Sequence, residues 1–308
     1  MILGGTVVVL VLAVGGTEIG LRSLLGFGKP LLYIADPQIG YLLAPNQQTR
    51  RFGNEIGINQ YSMRSGAITA HCPAQTFRVL LLGDSIANGG WWTDQRHTIS
   101  ALLQERLAGS EIAEVLNASA NSWGPRNELA YLQRFGSFES KIVVLLINTD
   151  DLFAVAPTSI PVGRDRNYPN QQPASAISEA LSRYAMKAQP IPELAAWQKE
   201  EGDRVGINLE AIRQIQTFVA QHQGQLLLAM TPLLREVGTP GSRDYETKAR
   251  QRLEDFTKNA AIPFIDFLPQ FNEMGNAETL YHDHIHFNFR GNQEIARTLN
   301  QSIQAMRQ

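Results

Sequence analysis

The chain has 308 residues, 44% hydrophobic and 18% charged, with 27 Lys and Arg against 29 Asp and Glu and a formal net charge of −2. That length buries a core without disulfide or metal staples, and the balanced charge excludes the broad basic surface that holds nucleic acid. One cysteine, Cys72, excludes an internal disulfide framework, and ordinary Gly and Pro counts exclude collagen-like or wholly disordered chains.

Residues 1–16 carry no charge and are dominated by Val, Leu, Ile, Ala and Gly; Glu18 and Arg22 follow in a stretch that is still partly apolar. A spanning helix needs about 20 apolar residues, so the run is somewhat short. It lacks the basic residues that precede a secretory apolar core, and no small-x-small cleavage site follows it. Residues 1–27 are expected to be a single N-terminal membrane anchor, which would place the globular part outside the cytoplasm, in the periplasm or at the cell surface. A cleaved signal and a buried helix are the alternatives. Residues 28–76, rich in Pro, Gly, Asn, Gln and Arg, read as an irregular leader.

From residue 77 to 308 the pattern alternates. Apolar runs at 77–82, 112–116, 142–147, 226–230 and 263–267 have strand length, and their continuous hydrophobicity predicts strands buried on both faces, as in a parallel sheet. Between them, Leu209, Ile212, Ile215 and Val219 recur at near-helical spacing, with Asn208 as a plausible N-cap, and Ile295, Leu299 and Ile303 stripe a last helix. The expected fold is an α/β/α sandwich around a mostly parallel sheet of five strands. Residues 153–206, rich in Pro, Ser, Asn and Gln, interrupt the pattern as an insertion, read as a lid or substrate-binding excursion or as a plain solvated loop. Chemistry in such sheets lies at the carboxyl ends of the strands.

The first buried strand runs into Gly83-Asp84-Ser85. A serine on a tight strand-to-helix turn presents its hydroxyl beside backbone N–H groups, but needs a base to become a nucleophile. The candidate base is His286, with Asp283 three residues earlier, a spacing that lets a carboxylate hold one imidazole nitrogen while the other faces a serine. His282, His284 and His286 raise a rival, since on an extended strand they would share a face as metal ligands do. No Glu or Cys cluster elsewhere offers further ligands, and His282 and His284 read better as polar surface groups. Trp91, Trp92 and Trp123 lie near the first strand ends, where they could stack on a sugar, hold an acyl chain or simply pack.

Gly83-Asp84-Ser85, Asn117-Ala118-Ser119, the Asn148-Thr149-Asp150-Asp151 cluster and Asp283-x-x-His286, in that order over residues 77–308, resemble the SGNH (GDSL-type) hydrolase family. The leader, with Gly40-Tyr41, Pro45-Asn46 and Ile58-Asn59, is similar to that of its membrane-anchored bacterial members. The resemblance implies a flavodoxin-like sheet and a serine ester hydrolase or O-acyl transferase working through an acyl-enzyme, without a cofactor or metal. By match, Ser85 is the nucleophile, His286 the base and Asp283 its partner. The implied substrate is an acylated glycan, lipid or similar ester. The implied oxyanion hole comes from the Ser85 N–H, a backbone N–H at Ser122 and an asparagine side chain in the third block. Two positions depart from the family. Ser122 stands where glycine is usual, and an ungapped match puts Asp150 where the oxyanion asparagine belongs. An ionised carboxylate donates no hydrogen bond. Asn148 donates instead, Asp150 is held protonated, or the hole lacks that donor, in which case a catalytically weak binding protein becomes the rival function.

Overall fold

A computed structural model describes residues 2–109 and 112–307. Helix α1 (Ile2–Leu25) leads into two antiparallel hairpins, β1 (Tyr33–Asp36) with β2 (Gly40–Leu43) and β3 (Gln47–Arg51) with β4 (Asn54–Ile58). Then come β5 (Thr76–Gly83), α2 (Ser85–Asn88), α3 (Ile99–Leu107), β6 (Ile112–Ser119), α4 (Pro125–Phe135) and β7 (Ile142–Asn148). The insertion carries α5 (Ala176–Tyr184) and α6 (Pro192–Trp197), and the chain closes with α7 (Arg204–Gln221), β8 (Gln225–Thr231), α8 (Asp244–Asn259), β9 (Phe264–Asp266), α9 (Phe267–Glu273) and α10 (Phe289–Met306).

Strands β5 to β9 form one five-stranded, all-parallel sheet in the order β6-β5-β7-β8-β9. Counted from β5, that is the flavodoxin-like order 2-1-3-4-5, with its switch point between β5 and β7. Side chains alternate across the sheet as strand geometry demands. Val79 and Leu81 enter the layer of Ile99, Leu103, Ile295 and Leu299 from α3 and α10, while Leu80 and Leu82 enter that of Leu132, Ile212 and Ile215 from α4 and α7. Both faces are covered, which is why the strands read as unbroken apolar runs. The molecule is the three-layer α/β/α sandwich expected.

Three local expectations change. The stretch taken as an irregular leader forms the two hairpins, and its Ile39, Leu42, Leu43, Ile56 and Met63 are buried in the same layer as α4 and α7. Strands of four or five residues are too short for their alternation to stand out among Gly, Asn and Arg. Asn208 does not cap α7. Asp203 accepts from Gly206 N and caps it, while Asn208 is buried one turn in, donating to the carbonyls of Leu152 and Ala154.

The third concerns the N-terminus. Met1 lies outside the described residues, and no helix among the described residues is long and apolar enough to cross a membrane, against the expected anchor over residues 1–27 and the extracytoplasmic placement built on it. The physical reason lies in the second half of α1. Glu18 and Arg22 pair at 2.6 Å, and the Glu18 carboxylate accepts from the N–H groups of Ala176 and Ile177, capping the start of α5. Just past the helix, Phe27 is buried under the Arg51 guanidinium. This end of the apolar segment packs on protein.

Arg64, 1% exposed, ties the leader to the site: Nη1 donates to the carbonyls of Asn88 and Gly90, and Nη2 to that of Thr93. Leaving three buried carbonyls without donors costs about 3 kcal/mol. Arg64→Leu is therefore expected to lower the unfolding free energy by about that amount in urea, with an unchanged denaturant slope; a loss under about 1 kcal/mol would mean that the carbonyls find other donors.

Candidate active site

The carboxyl ends of β5 and β7 meet at the switch point. Gly83 pairs with Leu146, and a Cβ on Gly83 would stand 2.7 Å from the Leu146 carbonyl oxygen and 2.8 Å from the Ala87 Cβ. Glycine there lets α2 start hard against β7. Asp84 caps the new helix, its Oδ1 accepting from Ile86 N at 2.8 Å, and Gly89 ends it in the left-handed region at φ 79°. Ser85 is thus the first residue of a one-turn helix at the sheet edge.

Opposite it, residues 281–288 fold into a tight loop before α10. Tyr281 bridges Phe287, and His282 N donates to His286 O at 2.8 Å. The loop turns His286 onto Ser85, with Nε2 2.9 Å from Ser85 Oγ and Nδ1 2.8 Å from Asp283 Oδ2. The other Asp283 oxygen accepts from the N–H groups of Ile285 and His286. Burial pushes the Asp283 carboxyl up, but these N–H groups and the imidazole outweigh it and hold the carboxyl at about 2. The three residues form a continuous relay that can take the proton from Ser85 while keeping the imidazole oriented.

The neighbouring histidines go elsewhere. His282 stacks on Trp92, with ring centroids 5.5 Å apart, and the His284 side chain is 85% exposed. Because the segment closes on itself rather than running as an extended strand, the alternation that would align three ligands does not apply. Trp92 also packs on His286 at 4.4 Å, so one indole backs both rings.

The third block holds its side chains in a buried network beside the Ser85 turn. Asn148 is buried and its amide is fully engaged: Nδ2 donates to Asp84 Oδ2 and Asp151 Oδ2, both at 2.9 Å, and Oδ1 accepts from Asp150 N at 2.7 Å. Burial raises the carboxyls of both Asp84 and Asp151, and their proximity adds to the rise at Asp151, as does the buried Glu128 on α4. Asp150 faces Arg235, Glu246, Glu236 and His284; burial raises its carboxyl and Arg235 opposes the rise.

A cleft of about 550 Å³ opens over Ser85 and His286. Its walls include Asn88, Trp91, Trp92, Asn121 and Ser122, with Tyr168 from the insertion; among the described residues they do not include Asn148 or Asp150. Ser122 holds φ at 58°, the left-handed conformation that glycine adopts freely, and its Oγ accepts from the Tyr168 hydroxyl at 3.0 Å. Trp123 is buried against Tyr131 and donates to the Tyr41 carbonyl, away from the cleft. Tyr168 and the cleft-lining Arg51, Arg166 and Arg183 had no signal in the sequence, since they sit on hairpin and insertion rather than at strand ends.

Residues 81–294 match the GDSL-like lipase/acylhydrolase family model. Comparison with curated proteins finds no match. Among solved structures, the acetylxylan esterase Axe2 from Geobacillus stearothermophilus superposes with a TM-score of 0.50 at 14% identity, over 73% of this chain and 93% of that one. The acetyl xylan esterase AlAXEase gives 0.49 at 14% identity, over 73% and 99%. A lipolytic G-D-S-L protein from Veillonella parvula DSM 2008 gives 0.47 at 11%, over 73% and 96%. At 14% identity the likeness to Axe2 speaks for the fold alone. With the family model spanning every element from the middle of β5 into α10, the chain belongs to the GDSL-like lipase/acylhydrolase family and is an ester hydrolase of the esterase–lipase type.

Proposed function

We propose that the protein is a serine esterase that removes acyl groups from glycan hydroxyls through an acyl-enzyme on Ser85. The observation that carries this is the Ser85–His286–Asp283 relay, with contacts of 2.9 and 2.8 Å, at the floor of an aromatic-walled cleft. Ser85 Oγ attacks the ester carbonyl as its proton passes to His286 Nε2. The tetrahedral adduct collapses, and the departing alkoxide takes that proton. Water then repeats the sequence on the acyl-serine, releasing the acid and restoring the hydroxyl. Asp283, held ionised, steadies the imidazolium in between. The oxyanion is met by the backbone N–H groups of Ser85 and Ser122. Flat rings beside charged and amide side chains suit a sugar better than an alkyl chain, which favours a glycan over a lipid ester.

Members of a relay act as a unit. Ser85→Ala and His286→Ala are each expected to lower kcat on p-nitrophenyl acetate by about 10⁴-fold or more, with the double variant little worse than either. Additive losses would separate the two residues.

Asp150→Asn tests the oxyanion assignment. Because Asp150 is not on the cleft wall, the change in kcat is expected to stay well short of the roughly 10²-fold that one oxyanion donor is worth. A gain of that size would place Asp150 at the oxyanion and Ser122 outside it.

Asp283 also makes stability depend on pH. Its folded pKa of about 2 lies below the unfolded value of about 3.9, so its contribution is complete above about pH 4 and fades as pH falls toward 2. The gap in Tm between the parent and Asp283→Asn, present at pH 6, is expected to narrow steadily below about pH 4. A gap constant down to pH 2 would assign the carboxyl an ordinary pKa.

A further inference from the structure

The end of the cleft away from His286 has a charge that the chain as a whole lacks. Lys29, Arg51, Arg166 and Arg183 line it, and among the described residues no carboxylate does, although the chain carries a net charge of −2. Glu179, behind the wall, pairs with both Arg51 and Arg183, so one carboxylate serves two guanidiniums. Arg166 spends Nη1 on the carbonyls of Ser182, Arg183 and Met186 at the end of α5, which balances no charge. The Arg51 side chain is 8% exposed, with Nη2 on Glu179 and its guanidinium over Phe27, yet its buried Nη1 has no hydrogen-bond partner. A buried charged donor left unpaired is costly, and no carboxylate on the cleft wall offsets it.

Aromatic rings connect this end to the relay. From His286 the ring centroids step to Trp92 at 4.4 Å, to Trp91 at 5.7 Å and to Phe52 at 5.3 Å; Phe27, the ring under Arg51, lies 5.9 Å further on. A sugar seated along Trp92 and Trp91 would carry its acyl group toward Ser85 and its other substituents toward the guanidiniums.

We propose that the Arg51–Arg183 end of the cleft is an anion subsite, so that the preferred substrate is an acylated sugar that also carries a carboxylate or a phosphate. The proposal rests on the Ser85 cleft being the ester-cleaving site, but the subsite binds its anion whether or not the chemistry is assigned correctly.

The test is binding to the full-length Ser85→Ala protein, followed by calorimetry and tryptophan fluorescence, with glucuronate, glucose 6-phosphate and glucose as probes. At least one anionic sugar is expected to bind about 10-fold or more tighter than glucose, and raising the salt should weaken it while leaving glucose unaffected. Tighter glucuronate identifies the carboxylate as the natural group, and tighter glucose 6-phosphate identifies the phosphate. Arg51→Gln and, separately, Arg183→Gln in the same background should each bring the anionic sugar close to glucose. If Arg51→Gln does not fold, Arg183→Gln and Lys29→Gln answer the question. Equal binding of all three sugars, no binding of any, or anion binding retained in the arginine variants overturns the subsite. Labelling of the parent by a fluorophosphonate, lost in Ser85→Ala, tests the esterase separately: labelling without anion preference removes only the subsite, and anion preference without labelling removes only the esterase.

Discussion

Two buried carboxylates share one amide beneath the Ser85 turn, and the rest of the site is built around that constraint. Asp84 follows β5, Asp151 follows β7, and the Asn148 Nδ2 group donates to both. Burial raises both carboxyls, and the amide supplies donors to both below the surface. The same Asp84 caps α2 and lies 3.3 Å from Ser85 Oγ. Through it the strand ends, the helix start and the serine hydroxyl are fixed by one set of contacts.

That arrangement explains why the third block departs from the family pattern without emptying the cleft. An asparagine is still present, and its amide is held inside the fold between two acids. On the proposed function, the donors for developing negative charge are backbone groups at two strand-to-helix corners, which titrate at no accessible pH and cost little to reorganise. Ser122 in a left-handed conformation keeps the corner geometry that a glycine would give, with the Tyr168 hydroxyl on its Oγ.

The sheet was legible because its central strands β5, β7 and β8 are apolar on both faces, a pattern that burial between two helical layers produces. Ser85, Asp283 and His286 were legible because a serine after a buried strand and a carboxylate three residues before a histidine need only local geometry to be recognised. The hairpins were not, since four-residue strands carry too little alternation, and their buried residues are spread among polar ones. Nor was the engagement of Asn148, which depends on Asp84, 64 positions away, or the basic end of the cleft, whose arginines come from elements with no motif of their own. The apolar N-terminal run misled for a related reason: Glu18 reads as a lone interrupting charge until the α5 N-terminus it caps is in view.

The hairpins also set an order of events during synthesis. Ile39, Leu42, Leu43 and Ile56 leave the ribosome well before their packing partners Leu80, Leu145 and Ile147, and Ile212 comes later still. Two-stranded ribbons alone are marginal in water, so these apolar faces have little to rest on until Trp123 and α4, whose Asn127 donates to the Ile39 carbonyl, have been made. The contacts are long-range in sequence and exact a loop-closure cost before they reward it, which slows folding and leaves the nascent segment exposed to self-association. The wall that carries Arg51 likewise waits on Glu179, which is made more than a hundred residues later and pairs with it.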